Sequence, residues 1–312
     1  MQTGPKSQAN SCLTSRGRVC YVLRMDNAGY LHNVVTVLAE EIGIRSYRDH
    51  DRLRKAADYI AGQLTSFGYN VSLQPCDFRG NVYVNVIAER TGAASPESIL
   101  IIGAHYDTVR TTPGADDNAS GVAGLLGLAR ALAGTELRKT LRFVAFALEE
   151  PPTCRTRNMG SYQYARSLKK KNEQVDGMIC LEMIGYFLDK EGSQHYPAPF
   201  MNRIFPRAGN YISMVGNRRS RVFTKMMAEE FRKAVELPVV TLNAPAIVIG
   251  IDFSDHWSFG KFGYKAFMVT DTAFYRNPHY HKPTDVPETL DYIRMAKVVE
   301  GLAAAVKKAT LE

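Results

Sequence analysis

The sequence lacks the cysteine spacing that a zinc finger, a redox pair or a disulfide framework requires. Its five cysteines, Cys12, Cys20, Cys76, Cys154 and Cys180, are odd in number, irregularly spaced and contain no C-x-x-C pair. They read as isolated reduced thiols. The start, MQTGPKSQANSCLTSRGRVCYVLRMDN, is basic but lacks the continuous apolar h-region of a secretion signal. No run reaches the roughly 18 apolar residues of a membrane-spanning helix. The chain as given therefore reads as cytoplasmic, with a secreted or periplasmic protein as the alternative if the N-terminus is incomplete. Concentrated charge is also missing. The 39 Lys+Arg against 31 Asp+Glu leave +8, but the cations are scattered. The densest run, Lys169-Lys170-Lys171, reads as the solvated end of a helix. Nucleic-acid binders gather basic residues on one face, so neither nucleic acid nor a membrane is an expected partner.

What is present is ordinary globular material: 312 residues, 45% hydrophobic and 22% charged. Residues 1–28 are polar and mixed in pattern and read as a poorly packed tail before one domain over 29–312. Helices are expected over about 30–43 and 50–67. The second has a helical apolar face of Leu53, Ala56, Ala57, Ile60 and Leu64, with Gly68 placed as its C-cap. Strand-like runs follow: VYVNVIA (82–88), SILIIGA (98–104) and TLRFVAFAL (140–148), with a small-residue helix, 120–134, between the last two. Later come a helix near 160–171, strands near 178–182 and 211–215, a helix near 220–234, a strand near 266–270 and a C-terminal helix near 290–308. Apolar strands alternating with helices argue for an α/β sheet covered on both faces. Residues 188–210 read as a long loop or insertion.

In such a sheet, ligands bind beyond the carboxyl ends of the strands. SILIIGA ends in His105-Tyr106-Asp107, TLRFVAFAL in Glu149-Glu150, MICLEM carries Glu182, and AFMVT ends in Asp271 before a loop with His279 and His281. Four apolar strands deliver histidine or carboxylate to one edge, a pattern that suits a metal site. His105 and Asp107, two apart on an extended segment, point the same way. A carboxylate beside a metal-binding histidine can orient its ring. Asp116 and Asp117 lie where a glycine-containing turn meets a helix, and a carboxylate there can bridge two cations. Alone, Asp117 or Asn118 reads as an N-cap; with HYD upstream the metal reading is favoured. The adjacent Glu149 and Glu150 must diverge, so one can ligate while the other faces a water, as metal-assisted hydrolysis needs.

The order HYD (105–107), ADDNASG (115–121), EE, LEM, SDH (254–256) and YHKPTD (280–285) resembles the M28 family of zinc aminopeptidases over roughly residues 30–312. The resemblance implies a mixed, mainly parallel sheet flanked by helices, peptide substrates and two zinc ions. It implies one zinc on His105, Asp117 and Glu182, and a second on Asp117, Glu150 and His281. It also implies Glu149 as general base, Asp107 as the orienter of His105, and Tyr280 as a donor to the tetrahedral oxyanion. The Asp117–Asn118 bond is expected to be cis. Asp255 is expected either just behind the metal ligands or in the pocket. His279 competes with His281, and the H-x-x-x-D spacing to Asp285 favours His281. His32, His50 and His195 carry no motif. The segment EEPPTCRTRNMGS is longer than the family's turn, so Cys154 and Arg155 are expected at the pocket rim. The readings in competition are a one-zinc glutaminyl cyclase, a carboxypeptidase or dipeptidase with Arg155 or Arg276 receiving a carboxylate, and a noncatalytic binding domain.

Overall fold

The computed structural model describes residues 15–245 and 248–311. Four of the apolar runs form the middle of one sheet. These are β3 (Ser95–His105), β4 (Lys139–Phe146), β5 (Gln174–Leu181) and β8 (Ala266–Thr270). Beyond the first residues of β3 and β5 their side chains are nearly all buried, so both faces are covered, which is why they read as continuous apolar runs. β1 (Asn70–Phe78), β2 (Asn81–Arg90), β6 (Ile212–Gly216) and β7 (Val239–Asn243) complete the order β1-β2-β4-β3-β5-β8-β6-β7. The β4–β3–β5–β8 centre and the β6–β7 pair are parallel. β1–β2, β2–β4 and β6–β8 are antiparallel. The sheet is thus mixed with a parallel centre, as expected.

Helices cover both faces. α1 (Ser15–Thr36), α2 (His50–Ser66), α3 (Gly121–Leu132), α5 (Arg221–Ala234) and α7 (Tyr292–Leu311) lie on one side. They share a core through Leu31, Leu53, Leu126, Phe231 and Leu302. α4 (Gly160–Lys170) and α6 (His256–Lys261) cover the other, through Tyr164 and Phe259. α2 buries the five apolar residues of its expected face, and Asp49 caps its start by accepting from Arg52 N. Gly68 follows its end at φ 84°, in the left-handed region. α5 and α7 approach closely at Gly301, where an added Cβ would stand 2.5 Å from the Phe231 ring.

Three differences from the expected elements have physical causes. α1 begins at Ser15, inside the stretch read as a tail, and Ala28 is buried in the core; residues 1–14 lie outside the described residues. β1 and β7 were not expected. Both are edge strands with mostly exposed or half-buried side chains, so they lack the alternation that marks a strand. Residues 188–210 form an irregular excursion, as expected, with one bridge between Glu191 and Ala208 and a helical turn at Pro199–Arg203. Among the described residues, no helix is long and apolar enough to cross a membrane.

Candidate metal centre

Because β3, β4, β5 and β8 are parallel, their carboxyl ends share one edge of the sheet. His105 is the last residue of β3, Glu149 and Glu150 lie just past β4, Glu182 just past β5 and Asp271 just past β8. The chain leaves the strands through left-handed backbone at Leu148 (φ 63°), Met183 (φ 48°) and Thr272 (φ 86°). His281 is also left-handed, at φ 57°. Such conformations are unfavourable for residues with a Cβ, and they gather where the surroundings over-determine them.

Asp117 stands at the centre. Its Oδ1 is 3.5 Å from His105 Nε2 and its Oδ2 3.1 Å from His281 Nε2. Glu182 Oε2 lies 3.2 Å from His105 Nε2, and Glu150 Oε2 3.5 Å from His281 Nε2. The structure thus brings together His105, Asp117 and Glu182 in one group and Asp117, Glu150 and His281 in another, with ligand atoms within 4.8 Å of one another in each. A third combination, His105 with Glu149 and Glu150, meets the same distance. The Asp117–Asn118 bond is cis. His105 Nε2 and Glu150 Oε1 are buried and make no hydrogen bond. Buried polar atoms are normally satisfied, and imidazole nitrogens with carboxylates are the ligands zinc takes. The residues present therefore fit a bound metal.

The surrounding hydrogen bonds fix these groups in place. The Asp107 carboxylate accepts from both Glu149 N (3.0 Å) and Glu150 N (3.1 Å). Its Oδ1 also lies 3.6 Å from His105 Nδ1, which contacts the Asp107 carbonyl at 3.1 Å. Asp285 accepts from Asp116 N and Asp117 N. Asn118 donates to the Leu181 carbonyl and accepts from Met183 N. Ser254 donates to Glu182 Oε2 at 2.7 Å. Arg45, fully buried, donates to the carbonyls of Leu38, Gly43, Tyr106, Pro113 and Gly114. It thereby holds both ends of the loop between Asp107 and Asp117. Sequence reasoning did not single out Arg45 or the Ser254 role, since nothing local marks a buried arginine or a serine that meets a carboxylate 72 residues away.

The field of the cluster sets the protonation. Burial alone would lower the His105 pKa, but Glu182, Asp107 and Asp117 outweigh it and hold the ring well above its ordinary range. Burial would raise Asp117, but His105 and His281 hold it well below the usual carboxylate range. Glu149 is pushed well up by burial, against the pull of His105, and Glu150 and Glu182 add to the rise. Tyr280 stacks on the His281 ring at 3.8 Å between centroids. Burial and the charges of Asp117 and Glu150 raise its hydroxyl far above ten, so it stays a donor.

The candidate pocket residues border the cluster and a cavity beside it: Arg155 stands 5.3 Å from the centre of the Phe253 ring, which lines that cavity. An apolar cavity opens beside Glu182 and Tyr280, lined by Val215, Leu242, Ile251 and Met268 from the β6–β7–β8 side and by Met201 and Phe205 from the excursion. None of Asp255, Cys154 and Arg155 lines it. Asp255 is fully buried behind the cluster, with neither carboxylate oxygen hydrogen bonded. Cys154 Sγ reaches Glu149 Oε1 at 3.6 Å. Arg155 pairs with Asp252 at 3.0 Å. Arg276 is buried and bound to Gln194, Tyr186 and Tyr211. His195, without a motif, lines the cavity. His279 turns away to Thr284. The segment from Pro151 to Met159 hangs between two fixed points. Asp107 holds its start, and Asn85 holds its end by bonding both Gly160 O and Ala147 N.

Comparison with known proteins agrees with this geometry. The model of peptidase family M28 matches residues 85–306. The chain is 40% identical over 280 residues to the uncharacterized protein YfbL of Escherichia coli, covering 87% of this chain and 85% of that one. It is 30% identical over 223 residues to a probable leucine aminopeptidase of Arthroderma otae, covering 66% of this chain but 52% of that longer protein. The fold is shared with a zinc aminopeptidase from Bacillus subtilis (TM-score 0.74, 16% identity, 91% of this chain and 95% of that one). It is also shared with a glutaminyl cyclase from Bacteroides thetaiotaomicron (TM-score 0.67, 16% identity, 91% and 97%). With a family match over most of its length and a histidine–carboxylate cluster at the expected strand ends, the chain belongs to peptidase family M28 and is a zinc metallopeptidase.

Proposed function

We propose that the chain is an aminopeptidase that hydrolyses the N-terminal peptide bond of peptides, with two zinc ions in the buried cluster. His105, Asp117 and Glu182 would hold one, Asp117, Glu150 and His281 the other. The observation that carries this reading is the pair of Asp117 oxygens, each facing a different histidine. Bound there, zinc acidifies water and polarises the carbonyl of the bond to be cut.

The chain's own groups do the rest. Glu149, pushed up by burial and left over once the two zinc sites take their ligands, takes the proton of the attacking water and delivers it to the leaving amine. Asp107 fixes Glu149 through its backbone and keeps His105 oriented. Tyr280 donates its hydroxyl to the developing oxyanion. The apolar cavity beside Glu182 and Tyr280 takes the side chain of the N-terminal residue. Arg155 is paired with Asp252, and Arg276 is buried and bonded to the Tyr211 carbonyl, which weighs against the carboxypeptidase reading in which either receives a C-terminal carboxylate. Two complete ligand groups weigh against a one-zinc cyclase.

Metal analysis is expected to give about two zinc ions per chain, and a consistent single ion would favour the cyclase. Glu149→Gln should lower kcat by roughly a thousandfold, within the range removed with a general base, while metal content stays unchanged. Retained turnover in that variant would exclude Glu149 as base. Cleavage of N-blocked peptides as fast as free ones would exclude a strict aminopeptidase.

A further inference from the structure

Three arginines from three separate segments converge beside the metal cluster without an acidic partner. Arg48 follows α1 in the connection to α2, Arg79 sits at the tip of the β1–β2 hairpin, and Arg110 lies in the loop after β3. All three are exposed. Arg48 Nε bonds the Tyr47 hydroxyl at 3.0 Å, and Arg79 stands 5.9 Å from the centre of the Tyr47 ring. The three together hold the Tyr47 hydroxyl below its ordinary pKa, led by the Arg48 hydrogen bond. Among the described residues, none of the three is in an ion pair. Arg48 and Arg110 line an open cleft of about 480 Å³, with Arg52 and His50. Two carboxylates also line it, but Asp49 is taken by Arg52 at 3.2 Å. That leaves Asp51 against Arg48 and Arg110, with Arg79 close by.

The position is as informative as the charge. Arg110 is three residues past Asp107, and its neighbour Thr111 donates to the His281 carbonyl at 3.1 Å. The loop is tied to the Arg48 segment through Arg45 N to Thr108 Oγ1 and Thr108 N to the Arg45 carbonyl. Tyr83 Oη, on β2, bonds the Tyr47 carbonyl. β2 runs from Asn81 to its first pairing with β4 at Val86, so the hairpin tip projects beyond the sheet edge that carries the cluster. In the strand order, the arginines lie on the β2 side of the cluster and the apolar cavity on the β8–β6–β7 side. A peptide whose first side chain fills that cavity therefore runs toward the arginines. From β3, which carries His105, to β2 is two strand spacings, about 10 Å, which two or three extended residues after the cleaved bond span.

We propose that Arg48, Arg79 and Arg110 form a carboxylate-binding subsite on the leaving-group side of the cluster. It suits peptides with an acidic side chain, or their free C-terminus, within three residues after the cleaved bond. Guanidinium forks match carboxylates in geometry as well as charge. The inference rests on the aminopeptidase reading for the direction of the peptide.

The test is calorimetric titration of the zinc-loaded Glu149→Gln protein, whose turnover is expected to be slowed about a thousandfold so that binding can be read. The ligands are Leu-Ala-Glu-amide, Leu-Ala-Ala with a free C-terminus, and neutral Leu-Ala-Gln-amide. The acidic-to-neutral ratio of affinities should fall about tenfold when Arg48→Glu, Arg79→Glu and Arg110→Glu are combined, given the modest strength of each exposed pair. Added salt should erode the ratio in the parent but not in the variant. A fall for only one acidic peptide identifies the side chain or the terminus as the group held. An unchanged ratio, or no binding of any peptide, overturns the subsite. Arg110→Gln alone, expected to give a smaller fall, guards against misfolding of the triple variant. Hydrolysis of an uncharged leucine anilide by protein with Glu149 intact tests the aminopeptidase reading separately, since that substrate carries no carboxylate.

Discussion

Asp107 and Ser254 act on the cluster from opposite sides, and neither is placed as a ligand. Asp107 holds the backbone of Glu149 and Glu150, while Ser254 holds a Glu182 oxygen at 2.7 Å. Such outer contacts typically change metal affinity about 10–100-fold. Ser254→Ala is therefore expected to weaken zinc binding about tenfold, measured by competition with a chelator, with folding intact. Arg45 presents a different case. Burial lowers its pKa to about 10, against the charges of Asp285 and Asp107, so it remains a cation at neutral pH. Arg45→Met should leave five carbonyls, three of them buried, short of a donor and destabilise the fold by about 3 kcal/mol or more, measured by denaturant unfolding. The placement of His105 and Glu149 was legible because each follows a run that strands require, and that of Asp117 and His281 because they sit in the ADDNASG and YHKPTD motifs. Arg45 was not, because its partners are backbone atoms scattered from Leu38 to Gly114.

At the scale of elements, legibility follows burial. β3, β4, β5 and β8 are covered on both faces, and their sequences showed it. β1 has only Cys76 and Phe78 buried, so its apolar signal is too short to read, and Pro75 further obscures it. α1 is continuous across the stretch 15–28, which its polarity disguised. Contacts between elements depend on positions that no periodicity marks. Gly301 on α7 faces Phe231 on α5 at a separation that leaves no room for a methyl group. Gly301→Ala should cost about 1–3 kcal/mol, as other overpacked cores do, even though alanine favours the helix more than glycine does. Thermal unfolding would show the loss, and a gain in Tm would mean the two helices separate easily.

For the whole molecule, the cluster makes stability depend on pH and metal together. Without metal, burial and the Asp117 charge raise Glu150 to about 7. Burial raises Asp255 to about 7, against the pull of His105. Burial and Asp116 raise Asp285 to about 7. All three lie above their unfolded values, so between about pH 4 and 7 the folded state holds more protons and stability falls as pH rises. Burial lowers His281, but Asp117 and Glu150 outweigh it and raise it to about 10. Its stabilisation is complete below about pH 6.5 and is lost as pH rises toward 10. Both effects have the same sign. Metal-free protein should lose stability from pH 5 to 8, and the Tm gap between zinc-loaded and chelator-treated protein should widen over that range. A constant or shrinking gap would contradict this account.

The segment from Pro151 to Met159 has a further consequence. Its anchors, Asp107 before it and Asn85 after it, hold the ends independently of what lies between. Thr153 and Cys154 also touch Glu150 and Glu149, so it is at the exposed Arg157 and Asn158 that its length can change without moving the residues on either side. For protein engineering this is an insertion port at the rim of a hydrolytic centre, where a foreign loop can be grafted to redirect selectivity while the underlying chemistry is left alone.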